Sequence, residues 1–332
     1  MSDAANQRPP YYLGIDLGGT NIKSGVVDDG GHPISSVSLP TEADKGPLVG
    51  LANLAEAGRR AVAASGLGWD AIAGVGLGSP GTMDIRAGKL LDPPNLPGWT
   101  NLPIRDLLAI ELGKQTVLQN DANAAAYGEY WAGAGRKTQS LVLFTLGTGI
   151  GCGIVESGNI IEGQHSHGGE CGHIVIQMEG GRLCPCGKRG HLEAYASATA
   201  LVKRAIEAIE VEPGSSLAEI HAEEELTSRL INDAAEAGDA LAIRLMRETA
   251  RYLAFGAVNL MHTIDPDIVL FSGGMIAAGH KFLSQIQADV RELAFPTPAQ
   301  KTLIAYAELG GDAGFIGAAG WARATFGLHS AV

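Results

Sequence analysis

Ser140-Leu141-Val142-Leu143-Phe144-Thr145-Leu146-Gly147-Thr148-Gly149-Ile150-Gly151-Cys152-Gly153-Ile154-Val155 reads as an apolar strand, a Gly/Thr turn and a second apolar strand. The same design stands near the start of the chain. There Tyr11 to Asp16 is a strand, Leu17-Gly18-Gly19-Thr20 a turn, and Asn21 to Val27 a second strand. Glycine at a hairpin tip lets main-chain N–H groups face outward, a geometry that cradles phosphate. One such hairpin is an ordinary hairpin. Two copies, offset by about 129 residues when Gly18 is aligned with Gly147, suggest a duplicated α/β domain with a cleft between its halves. A nucleoside triphosphate would lie in that cleft, touched by both turns.

Between the two copies lies Val117-Leu118-Gln119-Asn120-Asp121-Ala122-Asn123-Ala124-Ala125-Ala126-Tyr127-Gly128-Glu129. Thr116 to Leu118 reads as a strand, and the Ala-rich run as a helix. Asn120, Asp121 and Asn123 therefore sit where a strand becomes a helix, and ligands of open α/β sheets bind outside the carboxyl ends of strands. Asp121 has two readings. It caps the helix by accepting backbone N–H bonds, or it is a general base that takes a proton from a substrate hydroxyl.

Leu48 to Ala64 reads as a helix and Ile72 to Leu77 as a strand. Gly76, Gly78 and Gly81 fit the pattern G-x-G-x-x-G, but Pro80 and Pro93-Pro94 point to a loop. The dinucleotide mechanism needs a helix start there. Asn95 offers an amide on a proline-stiffened loop, Leu91 to Trp99, either as a turn former or as a hydroxyl ligand. No Walker A sequence occurs, so a nucleotide would not be held by a P-loop.

The next segment is Gly163-Gln164-His165-Ser166-His167-Gly168-Gly169-Glu170-Cys171-Gly172-His173, followed by an expected strand, Ile174 to Gln177. Then comes Cys184-Pro185-Cys186-Gly187-Lys188-Arg189-Gly190-His191-Leu192-Glu193. Cys184, Cys186, His191 and His173 supply two sulfurs and two nitrogens, enough for a closed tetrahedral zinc site of structural role. That site would pin a loop bearing Glu170 and Glu193, whose carboxylates can accept bonds from several hydroxyls. The remainder reads as helices over Ser197 to Glu210, Glu225 to Ala237, Asp239 to Met261, Gly279 to Leu293 and Asp312 to Thr325. Strands are expected over Pro266 to Phe271 and Lys301 to Tyr306. Gly273-Gly274 at a strand end would let an adenine pack on backbone. The expected division is 1–132 and 133–311, with zinc loop 165–193 in the second part and the last helix, about 312–326, returning to the first.

Bulk properties narrow the function. The chain has 332 residues, 24 Lys+Arg and 36 Asp+Glu, for a net charge of −12. A nucleic-acid surface is a poor fit to that charge. Four cysteines, three of them between Cys171 and Cys186, are not a secreted disulfide framework in so long a chain. No apolar run reaches about 18 residues, and the polar start Met1 to Pro10 lacks a signal-peptide core. A cytoplasmic protein with no membrane partner is expected.

Together the motifs resemble the ROK family of bacterial sugar kinases and repressors, from about Tyr12 to Thr325. They are Asp16-Leu17-Gly18-Gly19-Thr20, Gly78-Ser79-Pro80-Gly81, Asn95-Leu96-Pro97-Gly98-Trp99, Asn120-Asp121-Ala122-Asn123, Gly147-Thr148-Gly149-Ile150-Gly151, Gly169-Glu170-Cys171-Gly172-His173, the Cys184/Cys186 knuckle with Glu193, and Ser272-Gly273-Gly274. The resemblance implies an actin-like, duplicated ATPase fold of two domains. It implies that Asp121 is the catalytic base toward a sugar 6-hydroxyl, and that Asn95, Asn120, Glu170, His173 and Glu193 contact the sugar. It places ATP phosphates and Mg2+ at Asp16, Gly18, Gly19, Thr20 and Lys23, a second phosphate turn at Thr148 and Gly149, and adenosine at Gly273-Gly274. Zn2+ would take His173, Cys184 and Cys186. His191 stands where the family usually has a third cysteine, so both His191 and Cys171 are candidates for the fourth ligand. The activity implied is ATP-dependent phosphorylation of glucose. N-acetylglucosamine, N-acetylmannosamine and fructose are alternative sugars, and polyphosphate is an alternative donor. A sugar-responsive repressor would need a DNA-binding helix-turn-helix ahead of the first strand, where about ten residues stand. A filament or chaperone-like ATPase would not need the sugar-contact set. Many relatives are homodimers or homotetramers.

Overall fold

A computed structural model describes residues 9–327. Residues 1–8, most of the polar start read above, lie outside the described residues. The described chain forms two compact units. One comprises the chain through Ser140, Gly153–Gly169 and the chain from Glu308; the other comprises Leu141–Cys152 and Glu170–Ala307.

The first unit is built on strands β1 (Tyr11–Leu17), β2 (Asn21–Val27), β3 (Val37–Pro40), β4 (Ile72–Ser79), a small hairpin β5 (Met83–Asp84) and β6 (Lys89–Leu90), and β7 (Thr116–Asn120). Its main sheet runs β3-β2-β1-β4-β7. The glycine turn makes β1 and β2 antiparallel, whereas β4 and β7 join β1 in parallel. The central strands are near-continuous apolar runs because both faces are covered. On one face Leu13, Ile15 and Leu77 pack in a core with Leu54 of the helix Pro47–Ser65, Leu108 of the helix Ile104–Leu112, and Trp99. On the other, Tyr12 and Val27 meet Phe315 and Ile316 of the final helix, Ala313–Phe326. That helix lies so close that a Cβ at Gly14 or Gly76 would collide with its backbone. Glycine in these two strand interiors is therefore a packing requirement.

The second hairpin supplies β8 (Ser140–Leu146) and β9 (Ile150–Glu156). It is followed by β10 (Asn159–Ile160), β11 (Ile268–Ser272) and β12 (Leu303–Tyr306). Their sheet runs β10-β9-β8-β11-β12. This repeats the order of the first sheet, with β11 parallel to both β8 and β12. Phe144 and Phe271 stack in register at 5.6 Å between ring centres. The second unit also contains the helices Ala198–Val211, Ser228–Glu236, Ala240–Ile264 and Gly279–Leu293. Ser197, Thr227 and Asp239 cap the first three through their side-chain oxygens.

Two sequence expectations are corrected, and one helix is added. Ile174–Gln177 is not a strand: Cys171–His173 is a 3-10 turn, and Val175 forms only an isolated bridge with His191. A helix over Ser216–Glu223 was not expected, although Ser215 caps it. Lys301 closes a short helix, Pro296–Lys301, rather than opening β12. Among the described residues no helix is long and apolar enough to cross a membrane.

Candidate active site

In the first unit, three adjacent parallel strands end together. The register sets Asp16 of β1 beside Gly78 of β4, and Ser79 of β4 beside Asn120 of β7. The helix Asp121–Trp131 starts directly after β7. Its cap is Asn120, not Asp121: Asn120 Oδ1 accepts the N–H groups of Ala122 at 2.9 Å and Asn123 at 3.3 Å. Asp121 is the first helical residue, and its Oδ1 also takes the Ala122 N–H at 2.8 Å. With Oδ1 committed to the helix, Asn120 retains its amide N–H2 as a donor toward a ligand.

Asp16 and Asp121 feel each other's charge. Burial pushes the Asp16 carboxyl up to about 7; the Asp121 charge adds to this and Lys23 opposes it. A Cβ at Gly314 would collide with the Asp16 carboxylate, so this group abuts the first turn of the final helix. Lys23 lies opposite Asp16 across the β1–β2 register. Its ammonium is committed to Asp312 Oδ1 at 2.5 Å and to the Gly311 carbonyl at 3.1 Å.

The first glycine turn is closed by the Gly18 N–H donating to Asn21 O at 2.9 Å. Gly18 thus spends its amide on the turn. Among the described residues, the Gly19 and Thr20 amides have no protein acceptor. Thr41 braces the same turn: its hydroxyl donates to Gly18 O at 2.6 Å and its N–H to Thr20 O at 2.8 Å. Asn95 lies against Gly19, where an added Cβ would stand 3.1 Å from the Asn95 carbonyl. Asp16, Gly18, Gly19, Thr20, Lys23, Asn95, Asn120 and Asp121 all belong to this unit.

In the second unit, the turn after β8 is closed by the Gly147 N–H on Gly149 O at 3.0 Å. Glu193 holds the turn: its Oε2 accepts the Ile150 N–H at 2.9 Å, and a Cβ at Gly149 would strike it. Gly273, at φ 90°, sits against the Leu146 backbone just before this turn, where a side chain would collide. Thr148, Gly149, Glu193 and Gly273-Gly274 are therefore neighbours in one unit. Glu170 is exposed at the head of the Cys171–His173 turn.

The ligand atoms of His173, Cys184, Cys186 and His191 all lie within 4.8 Å of one another. Cys184 Sγ is 3.7 Å from His173 Nδ1, and Cys186 Sγ 3.2 Å from His191 Nδ1. Tetrahedral zinc, with Zn–S about 2.3 Å and Zn–N about 2.0–2.1 Å, sets such S···N edges near 3.5 Å. The donor set fits. Burial and the nearby His173 lower the pKa of His191, which favours the neutral ring a metal requires. Burial pushes the Cys184 thiol up to about 12, so its thiolate needs a cation beside it. Cys171 is outside this group; its thiol is hydrogen-bonded with Cys152.

Sequence reasoning missed Thr41, and it missed a buried amide, Gln119. Gln119 Oε1 accepts the Asn120 N–H at 2.8 Å and Asn123 Nδ2–H at 3.0 Å; its Nε2 donates to Glu162 Oε1 at 2.7 Å. Gln119 stands inside the stretch that drew attention to Asp121, whereas Glu162 is a loop residue with no distinguishing pattern.

The ROK family model matches residues 12–325. The chain is 36% identical over 312 residues to a glucokinase of Halalkalibacterium halodurans, covering 94% of each. Among solved structures it is similar to the ROK hexokinase from Thermus thermophilus, with TM-score 0.83 and 34% identity over 95% of this chain and 98% of that one. It is also similar to a ROK family glucokinase from Streptomyces griseus in complex with glucose and AMPPNP. There the TM-score is 0.78 and the identity 32%, over 95% of this chain and 99% of that one.

Proposed function

The chain belongs to the ROK family, and from that premise we propose that it transfers the γ-phosphoryl group of ATP to the 6-hydroxyl of glucose. The observation that carries this reading is the placement of Asp121. It opens a helix at the carboxyl ends of parallel strands, near enough to Asp16 to raise its pKa, while Asn120 caps the helix. In the proposed mechanism Asp121 aligns the 6-hydroxyl and accepts its proton as the phosphoryl group arrives. Phosphoryl transfer asks a protein mainly for positioning and charge stabilisation. The Gly19 and Thr20 amides donate to phosphate oxygens, and Thr148 and Gly149 form the second phosphate turn. Gly273-Gly274 takes the adenosine side.

Asp16 is the residue that would hold Mg2+, which neutralises phosphate charge when bound; its pairing with Asp121 is a like-charge arrangement that a cation relieves. Asn95, Asn120, Glu170, His173 and Glu193 are proposed as sugar contacts. Asn120 acts there as a donor, and Glu193 contributes what its turn-holding oxygens leave. His173, Cys184, Cys186 and His191 would hold a structural Zn2+.

The test is a coupled assay of ADP release with Mg2+, ATP and a panel of glucose, fructose, N-acetylglucosamine and N-acetylmannosamine. Glucose is expected to give the highest kcat/KM, and Asp121→Asn to lower kcat by about 100-fold or more with glucose binding retained by calorimetry. A higher kcat/KM on an N-acylhexosamine would overturn the sugar assignment. An Asp121→Asn enzyme working at the wild-type rate would overturn the base assignment.

A further inference from the structure

We infer that Glu162, acting through Gln119, is a positioning residue that fixes the direction of the Asp121 carboxylate. This rests on the reading of Asp121 as the base. Gln119 is 1% exposed, so each end of its amide needs a protein partner. Its oxygen takes two donors that flank Asp121: the Asn120 N–H before it and the Asn123 side chain after it. Its nitrogen donates to Glu162. Rotating the amide by half a turn would set N–H2 against both donors. Glu162, an acceptor only, enforces the working orientation.

Glu162 is itself anchored. Its N–H donates to Ile160 O at 3.1 Å, its carbonyl accepts the Gly168 N–H at 2.7 Å, and Gly163 turns the loop at φ 72°. Nearby, the Ser166 hydroxyl accepts the Ile85 N–H at 3.1 Å, tying the loop to the segment after β5. The chain thus reaches from a loop 43 residues downstream to the cap of the helix that Asp121 opens.

The experiment is steady-state kinetics on the full chain with Glu162→Ala, Glu162→Gln, Gln119→Leu, the Glu162→Ala/Gln119→Leu double variant and, in parallel, Asp121→Asn. Glu162→Ala should lower kcat about tenfold or more with KM for MgATP within about twofold, as misdirection of a reacting group does. Glu162→Gln presents a carbonyl acceptor in the same place and should recover most of that loss. Gln119→Leu should lose as much as Glu162→Ala, and the double variant no more than either alone, because the pair acts as one unit. Wild-type kcat in Glu162→Ala beside an inactive Asp121→Asn would overturn this inference alone. So would equal losses in Glu162→Ala and Glu162→Gln, or additive losses in the double variant. Wild-type activity in Asp121→Asn would instead sink the reading of the base.

Discussion

Asp16 sits where opposing influences meet. The first turn of the final helix and the ammonium of Lys23 favour a carboxylate, yet burial and the Asp121 charge outweigh them and carry the group up to about 7. The consequence for stability has a definite sign. The unfolded chain sheds this proton near the ordinary value of 3.8, whereas the folded chain keeps it to about 7. Between these values the folded state binds more protons, so stability falls as pH rises, and it levels off above about 7. Asp16→Asn removes that slope. Without divalent cations the variant should be more stable than wild type at pH 8 by up to about 4 kcal/mol, and nearly equal to it at pH 4. Urea unfolding at the two pH values measures this. A variant less stable than wild type at pH 8 would show that the Asp16 charge is satisfied in the folded protein. The same variant should lose kinase activity, since residues that cost stability are concentrated where function needs them.

At the scale of elements, the knuckle between β10 and the helix Ala198–Val211 shows what pattern can and cannot reveal. The Cys-x-Cys-Gly and Gly-His spacing points to ligands because those residue types seldom cluster without a metal or a reaction to serve. The backbone between them departs from what its composition favours. Ile174-Val175-Ile176 has strand composition, but it runs as a loop between the clustered His173 and Cys184, and Val175 is left 58% exposed with a single bridge to His191. Local propensity yielded to a constraint that lies in three dimensions. The choice between His191 and Cys171 was likewise not legible: Cys171 is nearer to His173 in sequence, yet its thiol is hydrogen-bonded with that of Cys152, while His191 joins the cluster. If the four ligands hold zinc, purified protein should release about one equivalent to a chelator monitored with a metallochromic dye, and its melting temperature should fall. Cys186→Ser should contain no zinc, while Cys171→Ser should retain it. Zinc lost from Cys171→Ser but kept in Cys186→Ser would reverse the ligand assignment.

At the scale of the molecule, the duplication was legible because it is written in short local signals: near-continuous apolar strands broken by Gly/Thr turns at Gly18 and Gly147. The Gln119–Glu162 link was not, because it joins positions 43 residues apart and leaves no local pattern. Charge is the remaining property of the whole chain. A net charge of −12 repels a nucleotide triphosphate, and the cation at the first turn, Lys23, is engaged by Asp312. Phosphate recognition of the proposed kind therefore rests on main-chain amides and a bound cation rather than on an arginine or lysine clamp. These two designs respond oppositely to salt. Screening weakens attraction to a cationic clamp, but it also weakens repulsion from a negative surface, and the Debye length shortens to well under 10 Å by about 0.3 M. Raising KCl from about 0.05 to 0.3 M at fixed free Mg2+ should leave KM for MgATP unchanged or lower it. A several-fold rise in that KM over the same range would mean that side-chain cations, not the two glycine turns, hold the nucleotide.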